Sequence, residues 1–192
     1  MPRDTTLTPE RERARELLRE RLILIMEDGP LSLADITEAL QTERGTAGQT
    51  DAGIFTVSAT KDLPAVLAAM QTQLAPGSRL MLIADFEMPT TFNARPQILN
   101  GILAIRDIQN AVAEWNQKHE NTGPVELEIF LNSLETNDEE GWQDFKKRYD
   151  HLAGTNPKIR INFANIKGRN QDENSKASVV ASIMDYLAGQ AK

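Results

Sequence analysis

Apolar residues recur along this chain in two rhythms, one with a helical period and one in short unbroken runs. From Glu10 to Glu27, Ala14, Leu17, Leu18, Leu22 and Ile25 fall on one face of a 3.6-residue period with Arg and Glu on the other, which predicts an amphipathic helix. Thr8-Pro9 offers it an N-cap and a proline for its first turn, and Gly29-Pro30 offers a stop. Ser32 reads as the cap of a second helix, Leu33 to about Glu43, with Asp35 as a capping-box-like partner and Leu33, Ile36 and Leu40 as its stripe. The two make an N-terminal helical hairpin over residues 1–44. Thr42 to Gly53, with three glycines and almost no apolar residue, predicts a pliable connection at 45–53 and the boundary to an α/β domain at 54–192.

Beyond that boundary the rhythms alternate. Ile54 to Ser58 predicts a strand, and Thr60 caps a helix carrying Leu63, Val66, Leu67, Met70 and Leu74. After Pro76-Gly77, Leu80 to Ala84 is an uninterrupted apolar run, the signature of a strand covered on both faces. A long helix from about Gln97 to Lys118 follows, its buried face set by Ile98, Ile102, Ile105, Ile108, Val112 and Trp115. Val125 to Leu131 and Lys158 to Ala164 alternate as strands. The helix between them carries Trp142, Phe145, Tyr149 and Leu152 as core, and a last helix spans about Ser175 to Ala188. Pairing of the last two strands would set Glu126 and Glu128 against Lys158 and Arg160. Four strands alternating with helices predict a mostly parallel, four-stranded α/β sheet of Rossmann-like or flavodoxin-like three-layer form, with Leu80–Ala84 at its centre.

Composition changes this picture only by exclusion. A net charge of −7 argues against a broad nucleic-acid surface. The absence of cysteine removes thiol catalysis, disulfides and thiolate metal sites. The Arg- and Glu-rich start lacks a signal-peptide layout, and Leu22–Met26 is too short to span a bilayer. The expectation is a soluble, cytoplasmic protein, with specialised secretion left open.

The residues able to carry chemistry cluster after strands. Asp85 and Glu87 follow the central run, where open α/β sheets place their ligands, and two carboxylates there suit a hard cation such as magnesium. Asn132, Ser133 and Glu135 follow the third strand; Asn165, Lys167 and Arg169 follow the fourth. Carboxylates on a metal, a hydroxyl orienting a phosphate and a lysine neutralising its charge form a phosphoryl-transfer set, so Asp85, Glu87, Ser133 and Lys167 are the catalytic candidates. Asp, Asn and Ser are also ordinary turn formers and helix caps. The loop from Asn165 to Asn174, with Lys167, Gly168 and Arg169, can receive a phosphate through its amides but lacks a Walker or dinucleotide fingerprint. His119 and His151 each end a predicted helix, where a cation suits the helix dipole.

This layout loosely resembles two families. An acidic pair after one strand and a serine after another is similar to haloacid-dehalogenase-type phosphatases, which would want two aspartates and a further acidic pair. It is also similar to von Willebrand A-type metal sites, which would want serines where Glu87 and Pro89 stand. The stretch Asp28 to Leu40 resembles the opening of winged helix-turn-helix regulators, but the expected recognition helix coincides with the glycine-rich stretch Thr42 to Gly53. The leading expectation is therefore a non-enzymatic binding or adaptor protein that meets a protein partner or a second copy through the hairpin, with no cofactor. The rivals are a magnesium-dependent hydrolase or phosphotransferase and a DNA-binding regulator.

Overall fold

The computed structural model describes residues 8–120, 123–131, 147, 162–165 and 175–190; the side chains of 131, 162–165 and 175–178 are left aside. Its elements are α1 (Pro9–Arg19), β1 (Arg21–Met26), α2 (Pro30–Arg44), β2 (Ile54–Val57), a 3-10 turn (Thr60–Asp62), α3 (Leu63–Gln71), β3 (Arg79–Ala84), α4 (Ile98–Lys118), β4 (Glu126–Leu131), β5 (Asn162–Asn165) and α5 (Ser175–Gln190). The strands form one sheet in the order β2-β1-β3-β4-β5, and every pairing is parallel. The α/β class and the parallel, layered architecture are as the sequence predicts, and Leu80–Ala84 lies in the middle strand. The last two strands pair, as expected.

The difference lies at the N-terminus. Leu22 to Met26 does not continue the first helix. It is the core of β1, hydrogen-bonded between β2 and β3, so the sheet has five strands among the described residues rather than four. Periodicity alone misleads here because Leu22 and Ile25 extend the stripe of Leu17 and Leu18, yet a helix would also carry Ile23 on its polar side. A strand buries both sets. Ile23 and Ile25 face one layer, Leu24 and Met26 the other, and all four are sealed from solvent. The break is enforced by arginines at the helix end: Arg21 Nη1 donates to Leu17 O, and Arg44 Nη1 donates to Leu18 O at 2.7 Å and to Arg21 O at 2.9 Å. Cations on the last carbonyls of a helix end it favourably.

Gly29-Pro30, expected as a stop, instead opens α2: Gly29 is its N-cap, Pro30 sits in its first turn, and Ser32 makes no capping bond. Proline fits there because its missing N–H is one the first turn leaves unpaired anyway. The N-terminal helices do pack side by side, with Arg11 and Arg15 of α1 holding Glu43 of α2 at 2.7 and 2.8 Å, but they are joined through a strand. The following connection is pinned by Asp51, which takes Arg44 at 2.6 Å and Thr46 at 2.9 Å.

Two cores result. One face of the sheet packs on α3 and α4 through Leu24, Leu80, Leu82, Ile105 and Ile108; the other packs on α1, α2 and α5 through Leu18, Ile36, Leu40, Met81 and Ile183. The apolar stripes of α1 and α2 are thus used inside the chain. Lys158 and Arg160, expected opposite Glu126 and Glu128, lie outside the described residues, as do Trp142, Tyr149 and the helix predicted around them. Among the described residues Glu128 pairs with Arg21, and Glu126 lies 3.5 Å from Arg79.

Candidate metal centre

All five strands end at one edge, and the chain leaves β1 toward β2 on one side while β3 lies on the other. That reversal opens a crevice at the carboxyl ends of β1 and β3, where doubly wound sheets bind ligands. The final register pair there is Met26 with Ala84, so Glu27 and Asp85 emerge side by side. Both are anchored by their backbones: Asp85 N donates to Met26 O at 2.8 Å, and Glu27 N to Val57 O at 3.1 Å.

Into this crevice converge three carboxylates. Oxygens of Glu27, Asp28 and Asp85 lie within 4.8 Å of one another. Glu27 and Asp85 are 4% and 9% exposed, so their charges sit largely out of bulk water. Gly29 N donates to Glu27 Oε1 at 3.2 Å and Glu87 N donates to Asp85 Oδ1 at 3.1 Å, fixing both side chains. Two ionised carboxylates at that spacing repel by about 3 kcal/mol at an effective dielectric of about 20. A cation held between the three would offset that repulsion. Hard, partly dehydrated oxygens at neighbouring strand ends fit magnesium, which takes one or two carboxylates and keeps room for phosphate and water.

The segment after β3 is held on both sides. Thr60 N and Lys61 N, just after β2, donate to Pro89 O at 2.9 Å and Thr90 O at 3.1 Å, tying together the connections that flank the end of β1. At the start of α4, Asn100 Nδ2 and Gln97 N donate to Met88 O at 3.0 and 3.1 Å. Gly101 lies so close to the Phe86 backbone that an added Cβ would sit 2.6 Å from its Cα and carbonyl carbon. Only glycine permits that approach.

Of the expected candidates, Asp85 lies in the cluster. Glu87 does not: Phe86 and Met88 turn inward, leaving Glu87 exposed between them. Its amide, not its carboxylate, contributes. Ser133 and Lys167 lie outside the described residues, two positions past the ends of β4 and β5; Arg169 and His151 are likewise outside. His119 ends α4 with Nδ1 2.7 Å from Trp115 O and its ring stacked 3.9 Å from the indole. Glu27 and Asp28 were missed by the sequence reading. The signal was there, in an apolar run followed by acids in the same manner as Leu80–Ala84 and Asp85.

Fold and site together define a doubly wound parallel α/β protein with an acidic crevice at its switch point. No protein-family model matches the chain, and no curated protein matches it. No helix among the described residues is long and apolar enough to cross a membrane.

Proposed function

We propose that the protein is a magnesium-dependent phosphoryl-transfer domain in which Asp85 accepts the phosphoryl group. The observation that carries this reading is the convergence of Glu27, Asp28 and Asp85 at the switch point. Glu27 and Asp28 would hold the cation together with Asp85, and a bound cation would supply positive charge to the phosphoryl oxygens. An Asp85 oxygen attacks phosphorus of an activated phosphate donor. The bond from phosphorus to the donor's bridging atom breaks, the leaving group departs with its electron pair, and an acyl phosphate remains on Asp85. The Glu87 amide on Oδ1 orients the carboxylate for that attack. Ser133 and Lys167 follow β4 and β5, whose carboxyl ends share this edge. The roles assigned to them are a hydroxyl orienting the phosphoryl group and an ammonium neutralising it.

An acyl phosphate next to Phe86 and the start of α4 makes a regulatory output natural, and this retains a binding role for the protein. The apolar stripes of α1 and α2 face inward, so support for a partner surface comes from Leu31 in the first turn of α2, Phe92 in the connection after β3 and Leu99 in the first turn of α4, exposed to 75%, 67% and 56%.

The test is to incubate the full chain with magnesium and acetyl phosphate and weigh the intact protein. One added phosphoryl group, labile to hydroxylamine, absent in Asp85→Asn and dependent on magnesium, is expected. Wild type that stays unmodified while binding no magnesium would sink the reading.

A further inference from the structure

Ser32 stands in the first turn of α2, where a serine ordinarily spends its hydroxyl on a backbone group of its own helix. Here it does not. Gly29 takes the N-cap position, and Ser32 Oγ is sealed from solvent with no hydrogen-bond partner among the described residues. One other side-chain atom among them shares that condition, Arg106 Nε. It belongs to a guanidinium that is 44% exposed and lies 3.9 Å from Asp107, so its charge is met by water and by a carboxylate. The serine hydroxyl has neither outlet. A buried hydroxyl without a partner costs folding free energy, and a fold that keeps one calls for a water or a ligand to complete it.

The neighbours of Ser32 indicate what completes it. Gly29 N donates to Glu27 Oε1 at 3.2 Å, which folds the turn after β1 back onto that carboxylate. A Cβ built on Gly29 would stand 3.0 Å from the same Oε1 and 3.4 Å from Ser32 Cβ. The bare face of Gly29 therefore looks onto a methyl-sized gap with the Glu27 carboxylate on one side and Ser32 on the other. Its backbone, at φ −77° and ψ 109°, is open to any residue, so what glycine supplies here is space. Glu27 is in turn one of the three carboxylates gathered within 4.8 Å of one another. Magnesium is held through one or two carboxylates and keeps several of its waters, whose polarised protons need acceptors. A neutral hydroxyl beside a carboxylate ligand is such an acceptor, and partners of this kind orient what the metal binds.

We propose that Ser32 is a positioning residue of the cation site, its Oγ accepting a hydrogen bond from a magnesium-bound water seated beside Gly29 and Glu27. The inference rests on the cation part of the phosphoryl-transfer reading and adds to it a residue from outside the acidic trio.

The test titrates magnesium by calorimetry into the full chain as wild type, Ser32→Ala, Ser32→Thr and Gly29→Ala, with urea unfolding of each in metal-free buffer. Ser32→Ala should bind magnesium about tenfold more weakly, the lower end for loss of a group behind a metal ligand. Without metal it should unfold no more readily than the wild type, because the lost hydroxyl has no protein partner to give up. A serine with a merely structural role would give the reverse. Ser32→Thr keeps the hydroxyl and should bind nearly as the wild type does. Gly29→Ala fills the gap and should weaken binding as Ser32→Ala does, and the two changes together should be little worse than either alone, since both remove the same water. Unchanged magnesium affinity in Ser32→Ala, an equal loss in Ser32→Thr, additive losses in the double variant, or a metal-free destabilisation of Ser32→Ala would each overturn the assignment and leave the phosphoryl reading standing. A wild type that binds no magnesium would bring down both.

Discussion

The two edges of the sheet both bury carboxylates, and they treat them in opposite ways. At the amino edge, Glu128 meets a guanidinium in a two-pronged pair, and Gln190 closes the network. At the carboxyl edge, Glu27, Asp28 and Asp85 meet one another. The first arrangement carries its countercharge inside the fold and is architectural: it locks β1 to β4 and α5 across the sheet. The second concentrates like charge where the topology opens a crevice, which suits a cation brought from outside. Buried charge alone therefore does not mark a site; the gathering of several carboxylates at the switch point of the sheet does.

The comparison breaks most visibly at the amino edge. Arg21→Met should remove the cation and leave Glu128 buried and unmatched, costing about 3–5 kcal/mol in urea unfolding. The double change Arg21→Met with Glu128→Leu should recover much of that loss, because an apolar pair of similar volume has no charge to desolvate. If the double variant is as unstable as the single one, the pair is not an isolated architectural unit.

Next in size is Gly101→Ala at the carboxyl edge. The new methyl would press on the Phe86 backbone, so α4 or the segment after Asp85 must shift, at about 1–3 kcal/mol. Magnesium affinity should fall in the same variant, since that backbone carries Asp85. Destabilisation without any change in magnesium affinity would separate α4 from the crevice.

A smaller effect sharpens the contrast from the ligand side. Magnesium at tenfold its dissociation constant should stabilise the wild type by about 1.4 kcal/mol, and a chelator should reverse this. Asp85→Asn should lose most of that response. It keeps an oxygen to accept from the Glu87 amide, so its stability without magnesium should stay close to that of the wild type. A variant strongly destabilised in metal-free buffer would mean that Asp85 is architectural, as Glu128 is.

How much of this was legible beforehand follows from the same contrast. Leu80–Ala84 and Asp85 could be read because the run stands alone between a Pro-Gly turn and a polar loop. Leu22–Met26 obeys the same rule, but a helix ends at Arg19, two residues before the strand begins at Arg21, and lends it a helical phase. Misreading that strand hid Glu27 and Asp28, and with them most of the crevice. The Arg21–Glu128 pair joins residues 107 positions apart, and alternation in β4 offered nearer partners, Lys158 and Arg160. Long-range pairing depends on strand order, which no local pattern encodes.

The smallest effect concerns the surface bond between α1 and α2. Burial raises the Glu43 carboxyl, but hydrogen bonds from Arg15 and Arg11 and their charges outweigh it and hold it below its usual value of 4.5. A carboxyl depressed in the folded state stabilises fully above the unfolded value. As pH falls, the unfolded chain takes up its proton first, so this stabilisation is lost between 4.5 and the lower folded value. Glu43→Gln should therefore cost about 0.5–1 kcal/mol at neutral pH, discounted for the partial exposure of both arginines, and the gap should close well below pH 4.5 and shrink in high salt. A gap that persists in acid would assign Glu43 to packing rather than charge, and α1 would then be held to α2 by the buried face it shares with α5.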